Sequence, residues 1–315
     1  MVNWGDFVIV VVGAGIGVAA PLLIAALGEA FAERSGMMNL SIEGTMSLGA
    51  ALAFLVGALS YNPWLGLLTG MIGGLVIGVM NVYLAQTLRL NQVVTGMSLY
   101  ILAYGLSVYV FRATTGHVST FGLEVPRFKP IEVRALLQIP ILGPTIFNQN
   151  VLIYISIVLV IILEIVMFKS TFGLRMRAVG ENPSAADNVG INVYATRYLC
   201  MMWGGAMAGL AGGYISLAEL GLFFEGMTAG RGWIAIAIVI FGAWSPLRIL
   251  AGALIFGVID SLALHVMVVA PQIPFQLLLT LPYVLSIAIL VIAMKRAALP
   301  AALFKTYRRE ERQLG

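Results

Sequence analysis

An all-helical, membrane-embedded bundle of about nine spans is the architecture expected of this chain, on three observations. Of its 315 residues 60% are hydrophobic and only 10% charged, with a mean hydropathy of +0.98; soluble domains carry about 25% charged residues. The apolar residues fall in runs approaching the roughly 20 that a helix needs to cross the hydrocarbon. The 35 glycines suit helices that pack in lipid, where small residues let backbones approach. No water-solvated core could hide this much apolar surface, so lipid is the solvent. With no long polar segment between the runs, the chain reads as one membrane domain over 1–294 followed by a basic tail over 295–315.

In chain order the apolar runs cover 7–27, 38–59, 64–86, 91–112, 150–168, 195–218, 231–243, 247–267 and 275–294. The run 231–243 is too short to span and reads as a broken or re-entrant helix. Met1 to Phe7 lacks the basic region that opens a signal peptide, so it is expected to be retained. With the C-terminus in the cytoplasm, the inner loops and tail hold all 18 basic residues except Arg112, Arg127, Lys129, Arg134 and Arg231. That asymmetry follows the positive-inside tendency and orients the chain N-out, C-in. The segment 113–149, with Pro126, Pro130, Pro140 and Pro144, is then an extracytoplasmic loop, and 169–194 is the longest cytoplasmic connection. Gly73-Gly-Leu-Val-Ile-Gly-Val-Met-Asn81 parallels Gly252-Ala-Leu-Ile-Phe-Gly-Val-Ile-Asp260, and Arg34-Ser-Gly36 before the second run parallels Arg231-Gly232 at the seventh. The paired runs point in opposite directions, as in an inverted repeat. The alternative is that glycine-rich apolar helices resemble one another in any case.

Several functional classes are excluded or weakened. The lone Cys200 rules out a disulfide framework within the chain, and no Cys/His cluster has metal-ligand spacing. The two histidines, His117 and His265, have no nucleophile beside them in sequence, which leaves little room for an intramembrane enzyme. The net charge of +4 sits at the flanks of apolar runs and marks topology rather than a nucleic-acid surface. No Gly-x-x-x-x-Gly-Lys-Ser/Thr phosphate loop occurs, so the chain cannot bind ATP in the usual way, and any energy it uses comes from a partner or from an ion gradient.

The connection 169–194 carries the clearest local signal. Within Gly180-Glu-Asn-Pro-Ser-Ala-Ala-Asp-Asn-Val-Gly-Ile-Asn192, Asn182 is a capping residue and Pro183 suits the first helical position, where its missing N–H costs nothing. Ala185 and Ala186 favour helix, and Gly190 can end it in a left-handed conformation. A short rigid helix between two spans can dock in a partner and transmit its motion; an ordinary capped surface helix is the other reading.

Polar residues inside the runs are candidates for a pathway or gate. Glu43 opens the second run with Asn39 just before it. A carboxylate in the membrane usually faces the bundle interior. Two roles are open: a structural acid held by its helix dipole and paired with Arg34, or a gating group near the cytoplasmic end. Asn81 and Gln86 close the third run; Asn91, Gln92 and Thr95 open the fourth. Their groups can bind solute hydroxyls and base edges, or bond across helices. Asp260 and Glu164 also lie in or beside runs, without an obvious basic partner. Gly70, Gly74 and Gly78, and likewise Gly205, Gly209 and Gly213, repeat at spacing four and give each helix a small-residue face for packing. Trp4, Trp64, Trp203, Trp233 and Trp244 read as interfacial anchors, and the tail from Lys295 to Arg312 as a segment lying on anionic headgroups.

Three stretches carry a family resemblance. Gly180-Glu-Asn-Pro-Ser-Ala-Ala…Gly190-Ile resembles the cytoplasmic coupling segment of ABC importer permeases that handle branched-chain amino acids, ribose and nucleosides. Glu33-Arg-Ser-Gly-Met-Met-Asn-Leu-Ser-Ile-Glu-Gly44 resembles the start of the second span in the simple-sugar and nucleoside branch. Gly230-Arg-Gly-Trp-Ile-Ala-Ile-Ala and Phe241-Gly-Ala-Trp-Ser-Pro246 resemble that branch's late helix and the turn after it. The resemblance implies a fold like that of the larger importers, arranged around a central pathway. It implies a coupling role for Gly180, Glu181, Asn182, Pro183, Ala185, Ala186 and Gly190. The partners implied are a second, non-identical permease, two ATPase subunits or one tandem ATPase, and an extracytoplasmic binding protein. No cofactor is expected on this chain, ATP and Mg being held by the ATPases. Nucleosides are the favoured solute, with ribose or other simple sugars as the alternative. The competing class is an ion-coupled secondary transporter built on Glu43, Glu164 and Asp260, which an uncoupler would abolish and ATP depletion would spare.

Overall fold

The computed structural model describes residues 4–116, 125–131, 142–269, 272, 274–294 and 299–308, and every helix or strand assigned among them is helical. His117, Arg134, Pro140, Lys295, Arg296, Arg309 and Arg312 lie outside the described residues. The helices are α1 (Trp4–Arg34), α2 (Ile42–Ser60), α3 (Pro63–Val82), α4 (Gln92–Thr115), α5 (Leu142–Ile146), α6 (Val151–Lys169), α7 (Thr171–Glu181), α8 (Pro183–Asn188), α9 (Val193–Tyr214), α10 (Arg231–Phe241), α11 (Pro246–Val269) and α12 (Phe275–Met294). Among the described residues six are long and apolar enough to cross a membrane: α1, α2, α3, α4, α6 and α11. The runs behind α9, α10 and α12 do not meet that measure, α10 being only 11 residues long.

Helices α1, α2, α3 and α9 form the centre. The two glycine rows face one another across α3 and α9: a Cβ on Gly74 would lie 2.8 Å from Gly209 Cα, and one on Gly78 would lie 3.2 Å from Gly205 Cα. Backbone contact this close is open only to glycine and brings dispersion from whole helix faces, which replaces the hydrophobic drive absent in lipid. Around this centre α4, α6 and α12 turn apolar side chains outward, among them Ile101, Tyr109, Val158, Ile161, Val284 and Ile287.

The chain departs from the expected run boundaries at α1–α2. Helix α1 continues to Arg34, and the residues up to Ser41 are unwound rather than helical from 38, so α2 starts at Ile42. The unwound strand turns back into the bundle: the Asn39 N–H reaches Glu29 Oε1 at 2.9 Å, five residues or about 7 Å before the end of α1. A second such return precedes α10, where 221–230 leads back to a helix that starts inside the bundle. Two wide π turns close α3 (Tyr83–Thr87) and α9 (Ile215–Leu220).

Candidate functional site

The two returns meet at Glu43. Its carboxylate, 6% exposed, stands in the first turn of α2, at the positive end of that helix's own dipole, and its hydrogen bonds go to α10 and Thr228 rather than to Arg34. It accepts from the Gly230 N–H (2.8 Å) and the Gly232 N–H (2.7 Å) at the start of α10, and from Thr228 Oγ1 (2.6 Å). A carboxylate at a helix N-terminus satisfies orphan N–H groups and the positive end of the dipole together. Gly232 is what admits it, because a Cβ there would stand 2.8 Å from Glu43 Oε2. Ser47 and Thr228 share a further hydrogen bond of 3.0 Å. Glu43 is therefore the pin that fixes α10 to α2. Glu164 does the same work more weakly at the start of α11, accepting from Ser245 Oγ and the Leu247 N–H, both at 3.3 Å.

Asp260, which had no visible partner in sequence, lies 3.7 Å from Arg231. Arg231 is held first by Glu219 from the π turn of α9, in a two-pronged pair of 2.8 and 2.9 Å. That geometry orients the guanidinium more firmly than a single contact does. Tyr283 of α12 donates its hydroxyl to the Ala229 carbonyl at 2.5 Å, closing the same neighbourhood from another helix.

A second polar frame lies where α1 and α3 end. Asn39 Oδ1 accepts from Ser41 Oγ (2.5 Å) and Asn81 Nδ2 (3.0 Å). Gln92 is buried, accepting the Met38 N–H at 3.2 Å, whereas Asn91 is an exposed cap whose side chain accepts from Val93 and Val94. Thr95 is buried too. Of the pathway candidates, then, Asn39 and Asn81 are joined directly and Gln92 braces the same strand. Glu43 and Asp260 belong to the α10 neighbourhood, and Asn91 stands apart.

Four residues of this frame carried little signal in the sequence. Arg197, fully buried in α9, donates to Ser35 O (3.2 Å), Gln86 Oε1 (2.6 Å) and Lys305 O (3.1 Å). Glu29 and Glu33, spaced four apart at the end of α1 and fully buried, receive the Asn39 N–H and the Trp244 Nε1–H (2.6 Å) respectively. Their spacing alone could have flagged them. Trp244, read as an interfacial anchor, is 1% exposed and is instead a core donor to Glu33. Arg34 stacks its guanidinium 5.5 Å above that ring. Trp203 and Trp233 are likewise partly buried against the core, while Trp64 is exposed.

The capped segment folds as its residues dictate. Asn182 Oδ1 accepts the Ala185 N–H at 3.0 Å, and Pro183 opens α8. Gly190, at φ 86°, ends it with the Ile191 N–H reaching Ala186 O at 3.0 Å. Helix α7, just before it, was not anticipated. Its Ser170 cap accepts the Gly173 N–H. Glu181, Asn182, Ser184, Ala185 and Gly190 face outward, and Val189 is 76% exposed. Gly180 and Ala186 face inward: Gly180 packs on the Arg34 backbone, and Ala186 joins a small cluster with Val179, Val193 and Tyr307.

A glycine-packed helical membrane bundle, two returns pinned together inside it and a capped helix standing out on one face, describe a membrane permease. The chain belongs to the family described as branched-chain amino acid transport system / permease component, which matches residues 11–294. It is 36% identical to a candidate glucose ABC transporter permease, TsgC13 of Haloferax volcanii, over 93% of this chain and 95% of that one. It is 36% identical to the guanosine ABC transporter permease NupQ of Bacillus subtilis (93% and 94% covered) and 33% identical to the nucleoside ABC transporter permease NupC of Lactococcus lactis (90% and 92%). Each of the latter two organisms has a second, more distant match, NupP at 27% and NupB at 25% identity. No solved structure matches. The protein is a multi-pass permease subunit of an ABC transporter, and ATP hydrolysis lies in separate subunits.

Proposed function

We propose that this chain imports nucleosides across the cytoplasmic membrane, with α8 as the element that an ATPase partner moves. The observation that carries the coupling role is α8 itself: a short helix capped at both ends, with Ala186 buried and Ser184, Ala185 and Val189 exposed on its outward side. Glu181, Asn182, Pro183, Ala185 and Gly190 shape or present that face, while Gly180 and Ala186 seat it. The nucleoside reading is supported by the likeness to NupQ and NupC, and the sugar reading by the likeness to TsgC13.

The face bearing α8 is cytoplasmic on this reading. In support, Arg34, Lys169, Arg175, Arg177 and Lys305 gather on it, as the positive-inside tendency requires. Nine crossings follow if α9 and α12 span and α10, together with the return 221–230 that leads into it, makes the ninth. The two returns before α2 and α10 support the inverted repeat, with Arg34-Ser-Gly36 and Arg231-Gly232 at corresponding places. Glu43 then acts on the pathway by holding α10, and Asn39, Asn81 and Gln92 by bracing the strand beside it. The working complex contains a second, non-identical permease, as the paired matches suggest. It also contains one tandem or two separate ATPase subunits holding ATP and Mg, and an extracytoplasmic binding protein.

Purification in mild detergent from the native host tests this. Co-purification of an ATPase and a second permease is the expected outcome. A chain that purifies repeatedly alone, without ATPase activity, would overturn it. The accompanying binding protein, titrated with guanosine and with glucose, decides between the two solutes.

A further inference from the structure

Helix α8 is six residues long and buries one side chain of its own, Ala186. Its position therefore depends on what is tied to it, and residues 299–308 provide the tie. The Ala302 N–H reaches Gly180 O at 2.9 Å, at the end of α7. Lys305 O accepts from Arg197 of α9, and Tyr307 O accepts from Gln86 Nε2 at 3.3 Å, in the π turn after α3. The Tyr307 ring is buried beside Val179, Ala186 and Val193, with its centroid 6.0 Å from that of Tyr194. Its hydroxyl donates to Asp187 Oδ2 on α8 at 2.9 Å. One short segment thus bonds in turn to α7, α9, α3 and α8. Through Arg197 and Ser35 O it is also linked to the α1–α2 turn.

Two routes consequently lead from α8 into the bundle. The direct one runs along the chain, forward into α9 and back through α7 into α6. The other passes through Tyr307 to Gln86 and Arg197, and so to α3 and the unwound strand before α2 that carries Asn39. We propose that residues 299–308 are the strut by which displacement of α8 reaches α1, α2 and α3, and that Tyr307 is its positioning residue. This rests on the coupling role proposed for α8. Arg197 of α9 and Gln86 after α3 are joined by a 2.6 Å bond, and both side chains also hold the strut. The strut makes α3 and α9 respond together.

The test uses the full transporter in liposomes, measuring solute uptake and ATP hydrolysis in the same preparation for Tyr307→Ala, Tyr307→Phe and Ala185→Arg. Tyr307→Ala is expected to lower solute moved per ATP by about tenfold, the scale of a coupling free energy of 1–3 kcal/mol, with ATPase subunits still bound. Tyr307→Phe keeps the ring and loses the hydroxyl's bond to Asp187, and should lower the ratio by about two- to threefold, the equivalent of one ordinary hydrogen bond. If Tyr307→Ala does not assemble, Tyr307→Phe and Asp187→Ala carry the test. An unchanged ratio in the Tyr307 variants, with Ala185→Arg uncoupled, overturns the strut and leaves the role of α8 standing. Unchanged ratios in all of them remove the coupling reading itself.

Discussion

The Glu43 pin and helix α8 are both polar interruptions of an apolar chain, and they are built in opposite ways. At Glu43 three donors converge on one buried carboxylate, two of them backbone N–H groups that would otherwise open a helix inside the bundle unsatisfied. At α8 the caps complete the helix locally, Ala186 and Asp187 meet Tyr307, and Ser184 and Ala185 face outward. An expensive group inside the membrane is retained because its removal strands others. A group on α8 has few internal partners to strand. The first region should therefore answer mutation in stability, the second in coupling.

Six substitutions break or sharpen that contrast. Glu43→Ala leaves the Gly230 and Gly232 N–H groups without an acceptor and removes the Thr228 hydroxyl's bond to the carboxylate, and should destabilise the bundle by about 3–5 kcal/mol; thermal unfolding in detergent would show it. Glu43→Gln, which keeps one acceptor oxygen, should lose about half as much. Gly74→Ala places a methyl group against the Gly205 and Gly209 backbone, an overpacking that costs about 1–3 kcal/mol, and cross-linking of α3 to α9 should report the separation. Asp260→Asn should lose less than about 1 kcal/mol, because Glu219 still grips Arg231 with both oxygens; the same assay on Glu219→Gln should give the larger drop. Ala185→Arg, at the far end of the scale, should leave the unfolding temperature within the small range of a surface change, about 0.5 kcal/mol, while transport falls. A large stability loss in that variant would mean that α8 is a structural part of the bundle rather than a contact surface.

Local chemistry was readable where it was complete within a few residues. Asn182, Pro183 and Gly190 announce α8 because a cap, a first-turn proline and a left-handed terminus are each satisfied by neighbours in sequence. The glycine rows at 70, 74, 78 and 205, 209, 213 declared two close-packing faces for the same reason, though not that they would meet. The unwound strand before α2 was misread because Met37-Met-Asn-Leu-Ser-Ile42 is apolar enough to look like the start of a span. Trp244 was misread because an indole beside a turn has the same signature at an interface as in a core.

Composition and periodicity were enough to establish a lipid-solvated helical bundle, its main helices, its glycine faces and the capped helix, since all of these follow from solvent and from contacts between near neighbours. The partners of Glu43, Arg231 and Arg197 depended on folding. Gly232 lies 189 residues from Glu43 and Lys305 lies 108 from Arg197. A buried charge is satisfied by whatever donor or acceptor packing brings within about 3 Å, and in a bundle of apolar helices that choice is made by helix rotation and depth, which no one-dimensional pattern records.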